Sequence, residues 1–321
     1  MIPFDSTRYA LTCAALALLA ACGASQPPIG APGAMPQSSA IVTEADRGGS
    51  WMLPEAKNEN LIYLADEYSV LVYNYAGEQV GYIEQLIEPG VCSDPHGDVW
   101  ITSQGHISEY PHGATAPIAT LNAPSQAVSC AVDPLTNNLA VTLNDDGNTE
   151  LAVYPNASGA PQTYAEPAGT DFLYCAYDDA GNLFVDGRHS HKESLLVELQ
   201  SGSNSLRTLT LNKKLVGGGG VQWDGKYLAV GDERNNVIYQ LSIASGYGTV
   251  ERTIKFPNWE QHHNYQFWVH DGTIGFMYSG KYFGFWKYPK GEKLVRKFLY
   301  DFGTTGGNAL SLGAKFHGSN P

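Results

Sequence analysis

Hydrophobic positions come in short runs along most of the chain, broken at Gly, Pro, Asn and Asp, and runs of this length between turn formers predict β-strands. Pro89–Thr102 sets the pattern: a short apolar strand, an Asp, a turn and a second apolar strand. It recurs at Ala127–Asp133 with Asn138–Thr142, at Phe172–Asp178 with Gly181–Asp186, at Gly220–Asp224 with Tyr227–Gly231, and at Gln266–Asp271 with Ile274–Met277. A degenerate first copy joins Trp51–Pro54 to Asn60–Asp66. The Asp residues at 94, 133, 178, 224 and 271 lie 39, 45, 46 and 47 residues apart. Each copy continues into a third apolar strand, such as Val70–Tyr75, Leu151–Tyr154, Leu195–Leu199, Val237–Leu241 or Phe283–Trp286, and a fourth follows a Gly/Pro turn.

Four short strands per roughly 45 residues make one propeller blade. A twisted four-stranded sheet cannot cover its own apolar faces, and radial stacking buries both. The expected architecture is an all-β, six-bladed β-propeller of four-stranded antiparallel blades over residues 49–313, with residues 314–321 as a tail. A seventh first-strand copy, Asn308–Leu312, lacks its other three strands. It competes with Trp51–Pro54 to complete the first blade.

The N-terminus follows a different rule. Tyr9–Ala21 is an apolar run rich in Ala and Leu, too short to span a bilayer and of signal-peptide length. It ends in Leu19-Ala20-Ala21-Cys22-Gly23, which resembles the lipobox of bacterial lipoproteins. The resemblance implies cleavage after residue 21, lipid on Cys22 and a membrane partner through that anchor. Gly23 in place of Asp favours the outer membrane in a diderm host. Residues 23–48, mostly Ala, Gly, Pro, Ser and Gln, read as a tether reaching about 25–30 Å.

Composition narrows the classes. Of the 321 residues 16% are charged, against roughly 25% in an average soluble domain, while Gly (35), Pro (18) and Tyr (19) are abundant. The formal charge of −13, with no cluster of Lys and Arg, repels phosphate backbones and argues against nucleic acid as a partner. Once Cys13 leaves with the signal and Cys22 carries lipid, Cys92, Cys130 and Cys175 remain, an odd number in an oxidising compartment. Counted back from each repeat's Asp, Cys130 and Cys175 share a strand parity that Cys92 does not. The expectation is three buried core cysteines, with Cys130–Cys175 the one bridge to test.

The phrase Pro89–Thr102 resembles the NHL repeat and the related gluconolactonase/SMP-30-like six-bladed propellers, and Asp232–Gln240 resembles the start of an NHL third strand. These families include lactonases, esterases, lyases and interaction modules, so the resemblance implies fold more than activity. Trp223-Asp224 is a WD dipeptide that closes a first strand rather than a third, which argues against WD40. With strands A to D numbered from the centre, the B–C loops and D–A crossings share one face and the A–B and C–D turns the other. The first face carries the longer loops and five of the nine His residues.

Candidate chemistry concentrates there. SMP-30-like enzymes hold a divalent cation at the channel mouth, and the corresponding positions here are Glu88, Gln126, Asp171, Asn264 and Asn308, a set suited to Ca²⁺. The family's Glu-Gly-Pro opening and Arg-x-Asn-Asp segment are both missing. His189 and His191 have the spacing of a Zn pair that needs a third ligand, with ordinary solvated loop histidines as the alternative. Tyr68, His106, Phe172, Arg188, Arg234, Trp259, His262, His263 and Tyr282 are the binding-face candidates, for a protein or carbohydrate ligand. Gly217–Gly220 lacks the Lys-Ser/Thr of a phosphate loop and reads as a flexible inter-blade crossing. The expected function is a cell-envelope binding module, with a Ca-type lactonase, hydrolase or lyase as the alternative.

Overall fold

The structure, a computed structural model, describes residues 49–313 apart from 85, 146–147, 166–169, 191–192, 257–265, 279–280 and 301–306. The chain begins with β1 (Trp51–Met52), β2 (Leu61–Ala65), β3 (Val70–Asn74), β4 (Gln79–Ile83), β5 (Val91–Ser93), β6 (Val99–Tyr110), β7 (Ala119–Val132) and β8 (Leu139–Asp145). It continues through β9 (Asn148–Tyr154), β10 (Gln162–Ala165), β11 (Asp171–Tyr177), β12 (Leu183–Ser190), β13 (Glu193–Leu199), β14 (Arg207–Thr208), β15 (Thr210–Leu211) and β16 (Val221–Trp223). It ends with β17 (Leu228–Asp232), β18 (Val237–Ala244), β19 (Tyr247–Lys255), β20 (Phe267–His270), β21 (Thr273–Tyr278), β22 (Tyr282–Lys287), β23 (Leu294–Leu299) and β24 (Gly307–Ser311).

These strands form five hydrogen-bonded sheets, in the orders β1-β4-β3-β2-β24, β10-β9-β8-β7-β6-β5, β11-β12-β13-β14, β15-β19-β18-β17-β16 and β20-β21-β22-β23. The uniform four-stranded antiparallel blade expected from the repeat is therefore corrected. Two sheets gain an edge strand, β1 on β4 and β15 on β19, and β15 pairs in parallel. The six-stranded sheet holds two repeat copies. Its strand β6 pairs first with β5 and then, from Gln104 on, with β7, the register shifting at Gly105, which has φ +79°. The bend returns the chain on itself, and His112 N–H donates to Asp98 Oδ1 at 3.1 Å.

The competition between the two chain ends has a clear outcome. β24 takes the innermost place beside β2, in register from Leu61–Ser311 to Ala65–Gly307, while Trp51 and Met52 pair on the outer edge. The inner strands then close a ring: β24 packs on β5, β5 on β7, β7 on β11, β11 on β16, β16 on β20, and β20 on β24. The result is an all-β propeller. Side-chain alternation explains the stacking, as β2 shows. Leu61, Tyr63 and Ala65 pack with Val91, Val99 and Ile101, while Ile62 and Leu64 pack with Trp268, Met277 and Phe283. All five β2 residues are fully buried, and each large one contributes about 1.5–3 kcal/mol through burial.

The recurring Asp is a turn cap. Asp94 Oδ1 accepts from the backbone N–H of His96 and Asp98, at 2.9 and 2.8 Å, and Asp178 Oδ1 does the same with Ala180 and Asn182. Such Asx geometry satisfies the turn's amides and ends the strand. Asp271 differs. It lies with Gly272 in a two-residue hairpin loop, both at positive φ, between the paired His270 and Thr273.

The expected Cys130–Cys175 bridge is corrected as well. Cys92 on β5 is disulfide-bonded to Cys130 on β7, with Cα atoms 5.5 Å apart, and Cys175 is a buried free thiol. Bridging consecutive sheets requires one side chain from each of two facing, opposite faces. Cys92 and Cys130 therefore need opposite parity. Cys130 belongs to the core between β5–β6 and β7–β9, whereas Cys175 belongs to the next core, between β7–β9 and β11–β13.

Candidate functional site

The inner strands surround a channel, and the channel contains a cavity of about 330 Å³. Its lining runs from Gln266 and Asn308, at the starts of β20 and β24, to Asp94, Asp179, Trp223, His270 and Leu312, beyond or at the other ends of their strands. The cavity thus reaches the mouth formed by the A–B turns. Sequence reasoning looked to the opposite face, where loops are longer, and missed it.

Amide side chains bind the inner strands to one another. Gln266 Nε2 donates to Val91 O at 3.0 Å, its Oε1 accepts from Asn308 N–H at 3.0 Å, and Asn308 Nδ2 donates to Gln266 O at 2.5 Å. Gln222 Oε1 accepts from Val269 N–H at 2.8 Å. Asn308 is 2% exposed, and its Oδ1 has no hydrogen-bond partner.

Further out, side chains on the second strand of a sheet reach across to its neighbour. Thr142 accepts from Ser129 N–H at 3.1 Å, where the β7–β8 register shifts, and donates to Leu173 O of the next sheet at 2.9 Å. Asp186 takes the same role in β12, accepting from Tyr174 N–H at 2.7 Å and from Gly219 N–H at 2.8 Å. Complete burial pushes the Asp186 carboxyl up to about 8, against the pull of those two amides. The Gly217–Gly220 crossing is packed rather than free: a Cβ on Gly219 would sit 2.9 Å from the Gly231 carbonyl carbon. Close backbone approach, and not flexibility, requires the glycines.

At the A–B mouth, Asp94, Asp98 and Glu109 bring carboxylate oxygens within 4.8 Å of one another. Desolvation and the neighbouring Asp98 raise the Asp94 carboxyl, and desolvation with both aspartates raises Glu109. Across the mouth, the Trp223 indole N–H donates to Asp179 Oδ2 at 2.7 Å.

The sequence-derived candidates are scattered. Asp171 pairs with Arg188 at 3.3 Å, both partly exposed, so the carboxylate faces a guanidinium. Glu88, at φ +46°, is exposed and accepts from Gln126 Nε2. Tyr68 is exposed beside it, its phenol raised by a hydrogen bond to Glu67. His189 and Arg234 are exposed, and His106 is half-buried with Nδ1 3.1 Å from Gln104 O. Tyr282 is half-buried, with Lys297 Nζ 4.0 Å from its ring centroid. Phe172 is fully buried in the core shared by β8, β9 and β11–β13 and offers no face to a ligand. Cys22, His191, Trp259, His262, His263 and Asn264 lie outside the described residues.

No protein-family model matches the chain, and no curated protein matches it. Solved structures do. A chain in the crystal structure of a nidogen–laminin complex superposes with a TM-score of 0.65 at 12% identity, covering 79% of this chain and 98% of that one. A protein of unknown function from Bacteroides caccae gives 0.56 at 11% identity over 79% and 99%. TolB from Acinetobacter baumannii gives 0.56 at 12% identity over 81% and 68%. At such identities the likeness shows the fold, a β-propeller, and assigns no family.

Proposed function

We propose that the protein is an exported, lipid-anchored, six-bladed propeller that serves as a binding module at the cell envelope. The closed ring of inner strands carries this reading, because it is a frame that presents loops on both faces. Six blades are supported by the repeat and by six separate cores, one between each successive pair of inner strands. Export is supported by the buried Cys92–Cys130 disulfide, a bond favoured in oxidising compartments, and by the apolar run ending at Cys22. That a nidogen–laminin complex holds a propeller of this shape supports protein binding as a use of the fold.

The partner-binding face in this reading is the one with Tyr68, Arg188 and Arg234, all exposed. The Ca-type lactonase alternative draws less support, since Asp171 is neutralised by Arg188 and Asn308 Nδ2 is committed to Gln266. The test is site-specific photo-crosslinking in cells, with probes at Tyr68 and Arg234 on one face and at Leu135 and Tyr247 on the other. A discrete adduct from the first pair alone is expected, and an adduct from the second pair alone would overturn the assignment. Fatty-acid labelling lost in Cys22→Ala tests the anchor separately.

A further inference from the structure

The overall charge of −13 conceals one basic stretch, and the expectation that Lys and Arg form no cluster is corrected there. Residues 281–297 contain Lys281, Lys287, Lys290, Lys293, Arg296 and Lys297, six of the chain's 19 Lys and Arg, against the single acid Glu292. The fold places them on β22, on β23 and in the turn between, at the rim, because β23 is the outermost strand of its sheet. The five lysines are exposed, and among the described residues none of the six makes an ion pair with a carboxylate. Lys287, Lys290 and Lys293 line a hollow of about 350 Å³ together with Leu294 and Val295. Val295 and Leu299 are large apolar side chains left 59% and 54% exposed. The exposed positions from Lys293 to Leu299 therefore alternate basic and apolar, along a strand of about 17 Å at 3.2–3.4 Å per residue.

An edge strand of this kind offers either its backbone to an added strand or its side chains to a surface. Val295 has no partner on β22, where the register shifts between Phe285 and Trp286, and such a bulge, with lysines along the edge, blunts a strand against addition. The side chains are what remains. We propose that this rim docks on an anionic phospholipid surface, with the lysines of the hollow taking headgroup phosphates and Val295 and Leu299 entering the interface. Charge complementarity also sets the orientation, since the rest of the chain is strongly acidic and the same surface repels it. Docking by the rim leaves the loops of both faces clear of the lipid. The inference rests on the reading of the protein as membrane-anchored, because a tether keeps the rim within reach of the surface, but the affinity of the rim is separate from that anchor.

The test is flotation of the processed chain carrying Cys22→Ser, which bears no lipid, with vesicles of phosphatidylcholine alone or with about 30% phosphatidylglycerol at low salt. Binding to the anionic vesicles alone is expected. The triple variant Lys290→Gln/Lys293→Gln/Lys297→Gln should weaken it at least tenfold, each lysine at such a surface being worth about fivefold. Val295→Ser/Leu299→Ser should weaken it at least threefold. Lys213→Gln/Lys214→Gln/Lys226→Gln removes the same charge from exposed positions elsewhere and should bind like wild type. No binding to anionic vesicles, equal binding to neutral ones, or equal losses in the two lysine triples would overturn the proposal. An oligo-glutamate peptide bound while vesicles are not would assign the rim to an acidic protein partner and overturn it too. Fatty-acid labelling that persists in Cys22→Ala refutes the anchor and leaves the vesicle result standing, so the two failures are distinct.

Discussion

Replacing Cys92 and Cys130 together by Ala removes the covalent tie between the first strands of two consecutive repeat copies. The bridge closes a loop with a sequence separation of 38. In the chain-entropy treatment a loop of that length restricts the unfolded chain by about 4 kcal/mol. At roughly 2 °C per kcal/mol for a domain of this size, the double variant should melt about 8 °C lower. Both cysteines are buried in one core, so Ala at each also leaves a small gap and pushes in the same direction. Calorimetry with and without reductant is the assay: reductant should lower the wild-type melting temperature and leave the variant unchanged. Cys175→Ala should respond to reductant as wild type does, because Cys175 takes no part in the bridge; its buried thiol is pushed well above the usual range, which also protects it from alkylation in the native state. A wild-type melting point indifferent to reductant, or a peptide map linking Cys130 to Cys175, would refute the reasoning.

Asp186 makes stability depend on pH in a stated direction. Its carboxyl holds a proton up to about pH 8 in the folded protein and loses it near 4 when unfolded, so the native state binds more protons between these values and its stability falls as pH rises from 4 to 8. Asp186→Asn should flatten urea-unfolding free energies measured at pH 5, 7 and 9, and an unchanged slope would show that the carboxyl is not the source. Gly219→Ala forces a Cβ against the Gly231 backbone and should destabilise by about 1–3 kcal/mol in the same measurement, whereas a neutral result would mean that the crossing has room. Phe172→Ala should cost about 3–5 kcal/mol and leave the pattern of crosslinks unchanged, and Tyr68→Ala should do the reverse. If Phe172→Ala alters crosslinking at native temperature, its assignment to the core is wrong.

The short apolar runs of β2, β3 and β8, and the spacing of the repeated aspartates, were legible without a structure because each depends on residues close in sequence. The candidate site was much less so. Asn308 stood out only by resemblance to a metal-binding position, and Gln266, Asp94 and Trp223 entered as members of strands rather than as cavity lining. Nothing local distinguishes a glutamine that bridges three strands from one on a surface. Phe172 was misplaced for a related reason, since the residues that bury it, such as Ala140, Leu151 and Val185, come from other strands.

The sequence by itself determined the short apolar strands, the roughly 45-residue repeat and the turn at each Asp, all properties of short segments. Only the tertiary structure decided which chain end fills the innermost place, which two cysteines meet, why glycines are needed at residues 217–219, and at which mouth a cavity opens. Those outcomes depend on which faces of separate sheets look at each other once the ring closes. Strand parity counted along one chain cannot supply that relation, because radial stacking sets the front of one sheet against the back of the next.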